Sequence, residues 1–170
     1  LQALLMNTTK LTNEITIILK IVERCNINCT YCYMFNKGND GHLSKPIYMS
    51  ESTAGQVASF LKQSAIQMNI NKMDIILHGG EPLMIKKSVF NAICSTLTSH
   101  LKDVLTLNLG IQTNAMLIND DWIDIFVKHN IQVGVSVDGT KEAHDKFRID
   151  HRGKGTYDKV LEKIQYLRSS

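Results

Sequence analysis

The chain has 170 residues, 44% of them hydrophobic, and a formal net charge of +3 from 19 basic and 16 acidic residues. That length predicts one domain able to bury roughly two-thirds of its unfolded surface. So small a charge, scattered among alternating acids and bases, argues against a dedicated nucleic-acid binder.

No apolar run approaches the roughly 18 residues needed to cross a bilayer, and the longest, Ile15 to Val22, is broken by Thr16 and Lys20. The opening Leu1-Gln2-Ala3-Leu4-Leu5-Met6 lacks the basic region and small-residue cleavage site of a signal peptide. The chain does not begin with Met, which leaves open a fragment or a start at Met6. Four cysteines without a secretion signal point to a reducing, cytoplasmic compartment.

In chain order, Thr16 to Val22 reads as a first strand, followed by a long polar segment that includes a Gly- and Asn-rich stretch from Asn36 to Gly41. Ser50 is a plausible N-cap for a helix in which Ala54, Val57, Ala58, Leu61, Ala65 and Met68 recur at helical spacing. Asp74 to His78 is a short strand. Val89, Phe90, Ile93, Cys94, Leu97 and Leu101 stripe a second helix, on whose apolar face Cys94 is a core residue. Thr106 to Thr113 is the third strand. Asn119 caps a third helix with Trp122, Ile125 and Phe126, and Ile131 to Val137 is the fourth strand. Thr140 to Gly155 reads as a polar linker, and Tyr157, Val160, Leu161, Ile164 and Leu167 mark a fourth helix. Strands alternating with helices imply an α/β fold with a parallel sheet and right-handed crossovers.

Cys25, Cys29 and Cys32 stand at CxxxCxxC spacing. Three thiolates so close together suit one soft-metal centre. They can hold an iron–sulfur cluster by three corners, whereas electron-transfer clusters ordinarily use four cysteines. The iron left without a protein ligand is then a binding site. A disulfide would leave one of the three unpaired. Structural zinc would need a fourth ligand, for which His42 is the nearest histidine.

This triplet, with Tyr31 before its last cysteine, resembles the radical S-adenosylmethionine (SAM) superfamily. His78-Gly79-Gly80-Glu81-Pro82 resembles that family's GGEP motif, and Ile111-Gln112-Thr113-Asn114 its QTN strand end. Val135-Ser136-Val137-Asp138-Gly139, with His144-Asp145 and Arg148, resembles the SVDG…HD…R block of its peptide-modifying branch. The matches occur in the family's order and span roughly residues 15 to 168; Ala115 stands where glycine is commoner. Every motif falls at or just after the carboxyl end of a predicted strand, the edge where parallel α/β folds bind ligands.

The resemblance implies a 4Fe-4S cluster on Cys25, Cys29 and Cys32, and SAM chelated to the open iron. One electron into the sulfonium then yields a 5′-deoxyadenosyl radical that abstracts hydrogen from substrate. It places Tyr31 near the adenine and the SAM amino group on Gly79 and Gly80, with Glu81 orienting that loop and Pro82 stiffening it. Ser136 and Arg148 are implied at the SAM carboxylate; the plainer alternative for Arg148 is a surface pair with Asp145 or Asp150. Gln112 and Asn114 either line the cavity or tie down loop backbone, Asp138 sits in a turn with Gly139, and His78 reads as a loop-holding residue.

It implies a precursor peptide or protein as substrate and a ferredoxin or flavodoxin as electron donor. The segment Tyr33 to Asn39 resembles cyclophane-forming maturases, and the sulfatase-maturating branch, which makes formylglycine, shares the same motifs. The family core is a partial barrel of six β/α units, commonly followed by a SPASM domain. Residues 1–170 therefore read as the N-terminal part of that core, with about four parallel β/α units. A truncated, non-catalytic remnant that binds a cluster is the alternative from another functional class, and poor stability and no peptide turnover are expected of four units standing alone.

Overall fold

Four stretches rich in Ile, Leu and Val, Glu14–Val22 (β1), Lys72–Gly79 (β2), Thr106–Thr113 (β3) and Gln132–Val135 (β4), pair into one sheet in the computed structural model of the chain. The structure describes residues 13–38 and 40–170. The readings made on residues 1–12 and on Asn39 lie outside these.

The strands run in the order β1-β2-β3-β4, all parallel, as the alternation predicts. The connecting helices are Glu51–Gln67 (α1), Lys87–Leu101 (α2) and Asp120–Lys128 (α3), followed by Lys141–Phe147 (α4) and Tyr157–Ser169 (α5).

Period-two alternation splits each strand between two faces. Met73, Ile75 and Leu77 on β2 join Leu19 and Ile21 on β1 and Leu109 and Ile111 on β3 in one core. Ala54, Ala58, Leu61 and Ala65 of α1, and Phe90, Ile93, Cys94, Leu97 and Leu101 of α2, complete it. Cys94 is fully buried there, as its place on the stripe implies. The Trp122 ring meets the edge of Phe90 at 5.1 Å and fixes α3 beside α2.

Caps set the helix limits. Ser50 accepts the Thr53 N–H at 3.0 Å and Asn119 accepts the Trp122 N–H at 3.2 Å, so both N-termini fall where the side chains predict. Asn69 and Asn130, at φ 53° and 50°, close α1 and α3 in the left-handed conformation that asparagine tolerates.

Two expectations are corrected. The predicted linker from Thr140 to Gly155 contains α4, capped by Thr140 at the Ala143 N–H. Only His144 on this helix is buried, so it shows no apolar stripe for a periodicity reading to find. β4 also stops at Val135 rather than Val137. Its partner β3 ends at Thr113, which pairs with Val135, and the chain then turns at Gly139 with φ 67°. Ser136 still donates its N–H to Thr113 O at 2.9 Å, so it hangs at the strand end.

Candidate functional site

Beyond the carboxyl ends of the strands lies a cavity of about 350 Å³. Its walls include Cys25, Cys29, Tyr31 and Cys32 from the loop after β1, Gly79 at the end of β2 with Gly80 and Glu81 just beyond it, Gln112 and Asn114 at the end of β3, and Ser136 and Arg148. Elements separated by more than 100 residues thus bring eleven of the thirteen predicted site residues to one place. The other two stand behind the wall. Pro82 is buried at the first position of a 3₁₀ turn, Pro82–Met84, where its missing N–H costs nothing. Asp138 reaches the site only through its neighbours.

The cysteine loop is held by backbone on both sides. Ile27 pairs antiparallel with Asp150, Asn28 N–H donates to Ile149 O at 2.7 Å, and Thr30 N–H donates to Phe147 O at 2.9 Å. His151 Nε2 adds a bond to Cys25 O at 3.0 Å. On the other side Gly80 N–H donates to Val22 O and Glu81 N–H to Arg24 O, both at 2.8 Å. That approach explains the glycines. A Cβ on Gly80 would stand 2.0 Å from Arg24 O and one on Gly79 2.3 Å from Val22 O, and Gly79 also has φ 153°.

Glu81 is 1% exposed and joins two motifs. Its Oε1 accepts the Leu83 N–H at 3.0 Å and the Thr113 hydroxyl at 2.6 Å, and its Oε2 accepts the Asn114 N–H at 2.8 Å. Burial pushes its carboxyl above the usual range, and these three donors oppose the rise.

Asn114 is a tie rather than a free wall residue. Its Nδ2 donates to Asn26 Oδ1 at 2.8 Å and its Oδ1 accepts the Met116 N–H at 3.1 Å. Ala115 does adopt φ 65°, where glycine is commoner, and its N–H bonds to Thr113 Oγ1. Gln112 lines the cavity as Asn114 does, and donates from Nε2 to Ser136 Oγ at 2.7 Å. His78 Nδ1 accepts the N–H of its neighbour Gly79 at 2.7 Å.

Tyr31, Asp138 and Arg148 form a charged triangle. The Tyr31 hydroxyl donates to Asp138 Oδ2 at 2.6 Å, and the Arg148 guanidinium lies 5.6 Å from the centre of the Tyr31 ring. Arg148 Nε stands 3.0 Å from Asp138 Oδ1, but its N–H points off the carboxylate and forms no hydrogen bond, so the contact is an ion pair. Arg148 is therefore not paired with Asp145, which caps the Tyr157 N–H, or with Asp150, which accepts the Arg152 and Lys154 N–H groups. Burial would raise the Asp138 carboxyl, but the Tyr31 hydroxyl and the Arg148 guanidinium outweigh it and hold it below the usual range.

Burial likewise pushes the Cys25 thiol up to about 12, with the charges of Glu81, Cys29 and Cys32 adding to the rise. Burial raises Cys29 too, against the pull of Arg148.

Met34, Phe35, His42 and His151 also line the cavity; of these the sequence pointed only to His42, as the histidine nearest the cysteine triplet. Phe35 and His42 meet edge to face at 4.9 Å. Only the adjacency of Met34 and Phe35 to Cys32 hinted at their place.

The family model described as the radical SAM superfamily matches residues 19–170. The chain belongs to the radical SAM superfamily.

Among its relatives, the chain is 29% identical over 149 residues to a cysteine-type anaerobic sulfatase-maturating enzyme of Clostridium novyi (strain NT), an alignment covering 85% of this chain and 38% of that one. It is 31% identical over 144 residues to a serine-type anaerobic sulfatase-maturating enzyme of Bacteroides thetaiotaomicron, covering 85% and 34%. It therefore spans little more than a third of these relatives' length. The solved structure of native anSMEcpe with bound AdoMet superposes with a TM-score of 0.75 at 24% identity, over 92% of this chain and 41% of that one. A second, native anSMEcpe with bound AdoMet and Cp18Cys peptide, gives 0.73 at 24% identity, over 91% and 40%. These likenesses establish the partial-barrel fold.

The donors present fit the cluster of this superfamily. Three thiols share one cavity wall, while Cys94 lies buried on α2. Among the described residues no three Cys, His, Asp or Glu groups are gathered tightly enough for a single ion. A multi-iron cluster asks something different, since each thiolate binds its own iron around a larger body.

Proposed function

We propose that this chain is the cluster- and SAM-binding part of a radical SAM enzyme that modifies a ribosomally made peptide or protein. The observation that carries this reading is the convergence of three thiols, the Gly79–Gly80 backbone, the Gln112–Ser136 pair and Arg148 on one cavity. When bound, a 4Fe-4S cluster and SAM supply one-electron cleavage to a 5′-deoxyadenosyl radical that abstracts hydrogen from an unactivated carbon.

The chain's own residues bind and orient. Cys25, Cys29 and Cys32 hold the cluster. Arg148 and Ser136 grip the SAM carboxylate, since a guanidinium stays charged and offers paired donors. Gly79 and Gly80 present backbone to the amino group, and Tyr31 flanks the adenine. Glu81, Pro82, Asn114 and Asp138 fix the loops that carry these groups. A ferredoxin or flavodoxin is the class of electron donor.

The relatives named above favour a second reading, a sulfatase-maturating activity. Offering the cluster-loaded full-length protein a sulfatase-type peptide with Cys or Ser at the target position separates the two. Formylglycine in the product supports the second reading; a cross-link, or oxidation at another side chain, supports the first.

Arg148→Lys tests the cofactor assignment. It should weaken SAM binding about tenfold, or about 1.4 kcal/mol, and leave the cluster spectrum intact. SAM titration followed by the cluster's EPR signal measures this, and an unchanged affinity would remove Arg148 from the site.

A further inference from the structure

His144 is fully buried on α4, and both of its ring nitrogens meet groups whose roles are set elsewhere. Nδ1 lies 3.3 Å from the backbone N–H of Asp138, which can only donate. Nε2 lies 3.0 Å from Thr156 Oγ1, and Thr156 spends its one hydroxyl hydrogen on Arg148 O at 2.9 Å. Thr156 must then accept from His144, so the ring is neutral with its hydrogen on Nε2. The bonds run in one direction, from Asp138 N–H through the imidazole and the hydroxyl to Arg148 O. Their two ends belong to the residues of the Arg148–Asp138 ion pair.

The surroundings keep this chain of bonds in place. Arg148 N–H donates to His144 O at 2.8 Å. The Tyr157 ring meets the imidazole edge-on at 5.4 Å, and Asp145 accepts the Tyr157 N–H at 2.9 Å, which fixes the start of α5 beside Thr156. Packing alone would be served by an apolar side chain, at no cost in desolvated polar atoms. A fully satisfied network instead sets the geometry of its end points.

We propose that His144 and Thr156 are positioning residues that lock Asp138 and Arg148 in register, so that the guanidinium faces the carboxylate of an amino-acid-bearing ligand in the cavity. This rests on the reading that the cavity takes SAM through Arg148.

Thr156→Val keeps the shape of the side chain and removes both bonds, whereas Thr156→Ser keeps the hydroxyl. In the cluster-loaded full-length protein, SAM should bind about tenfold more weakly to the valine variant and within about twofold of wild type to the serine variant. 5′-Methylthioadenosine, which lacks the carboxylate, should bind all three alike. Equal weakening of both ligands by valine, or of neither, overturns the proposal.

Arg148→Lys is titrated alongside. If it leaves SAM affinity unchanged, the reading of the cavity fails. If it weakens SAM while Thr156→Val does not, this inference alone fails. The ring-nitrogen chemical shifts of His144 in the wild-type protein decide the matter even if the valine variant does not fold. A neutral ring protonated on Nε2 is expected, and the other tautomer or an imidazolium at neutral pH overturns the proposal.

Discussion

Anaerobic reconstitution of the Cys29→Ala variant should yield protein without the cluster's visible charge-transfer absorbance, whereas wild type should take up about four irons per chain. Cys29 lies at the centre of the triplet on the cavity wall, and its own loop depends little on the thiol. Backbone bonds from Asn28 to Ile149 and from Thr30 to Phe147 hold the residues either side of it. Loss of cluster in this variant is therefore loss of a ligand rather than of the loop. Cys94→Ala is the matched control. Its thiol is fully buried among Phe90, Ile93 and Leu97 on α2, so its removal should leave the iron content unchanged and cost stability instead. Iron and sulfide assays with the absorbance spectrum check both. An empty Cys94→Ala beside a loaded Cys29→Ala would overturn the ligand assignment.

The site was legible in the sequence wherever its chemistry is local. CxxxCxxC and His78-Gly79-Gly80-Glu81-Pro82 each lie within a few residues, and each follows a strand whose apolar character is plain. The strands and the helices α1, α2, α3 and α5 were legible for the same reason, since periodicity and caps are short-range signals.

What could not be read depends on partners far along the chain. The ladder that clamps Ile27 to Thr30 is supplied by residues 147–150. The Tyr31–Asp138 bond joins residues 107 positions apart. α4 was missed because its one buried residue, His144, serves a polar network and leaves no apolar stripe. The glycines of the GGEP loop were expected to make room for a ligand. They also make room for the protein's own backbone, at Val22 and Arg24, which a one-dimensional motif does not reveal.

Glu81 is the residue on which the second large effect is expected. Its carboxylate takes all three of its hydrogen bonds as an acceptor, two on Oε1 and one on Oε2. Glu81→Ala would leave the Leu83 N–H, the Thr113 hydroxyl and the Asn114 N–H without their partner among buried residues. At roughly 1–3 kcal/mol for each buried group left unsatisfied, and allowing for relaxation, a loss of about 3–5 kcal/mol is expected. That is a large share of the roughly 5–15 kcal/mol typical of a domain's stability.

Glu81→Gln makes the sharper test. Its amide oxygen can keep the two donors at Oε1, but its NH₂ group then faces the Asn114 N–H, donor against donor. It should therefore cost about 1–3 kcal/mol, less than alanine. Burial favours a protonated carboxyl here, while the three donors favour the carboxylate. The glutamine variant weighs the two directly. Chemical denaturation of the three proteins under one buffer measures the differences, and a glutamine variant as stable as wild type would show that Glu81 carries a proton and donates a bond. Because Asn114 Nδ2 also reaches Asn26 in the cysteine loop, a destabilised Glu81 variant that still folds should hold its cluster more weakly.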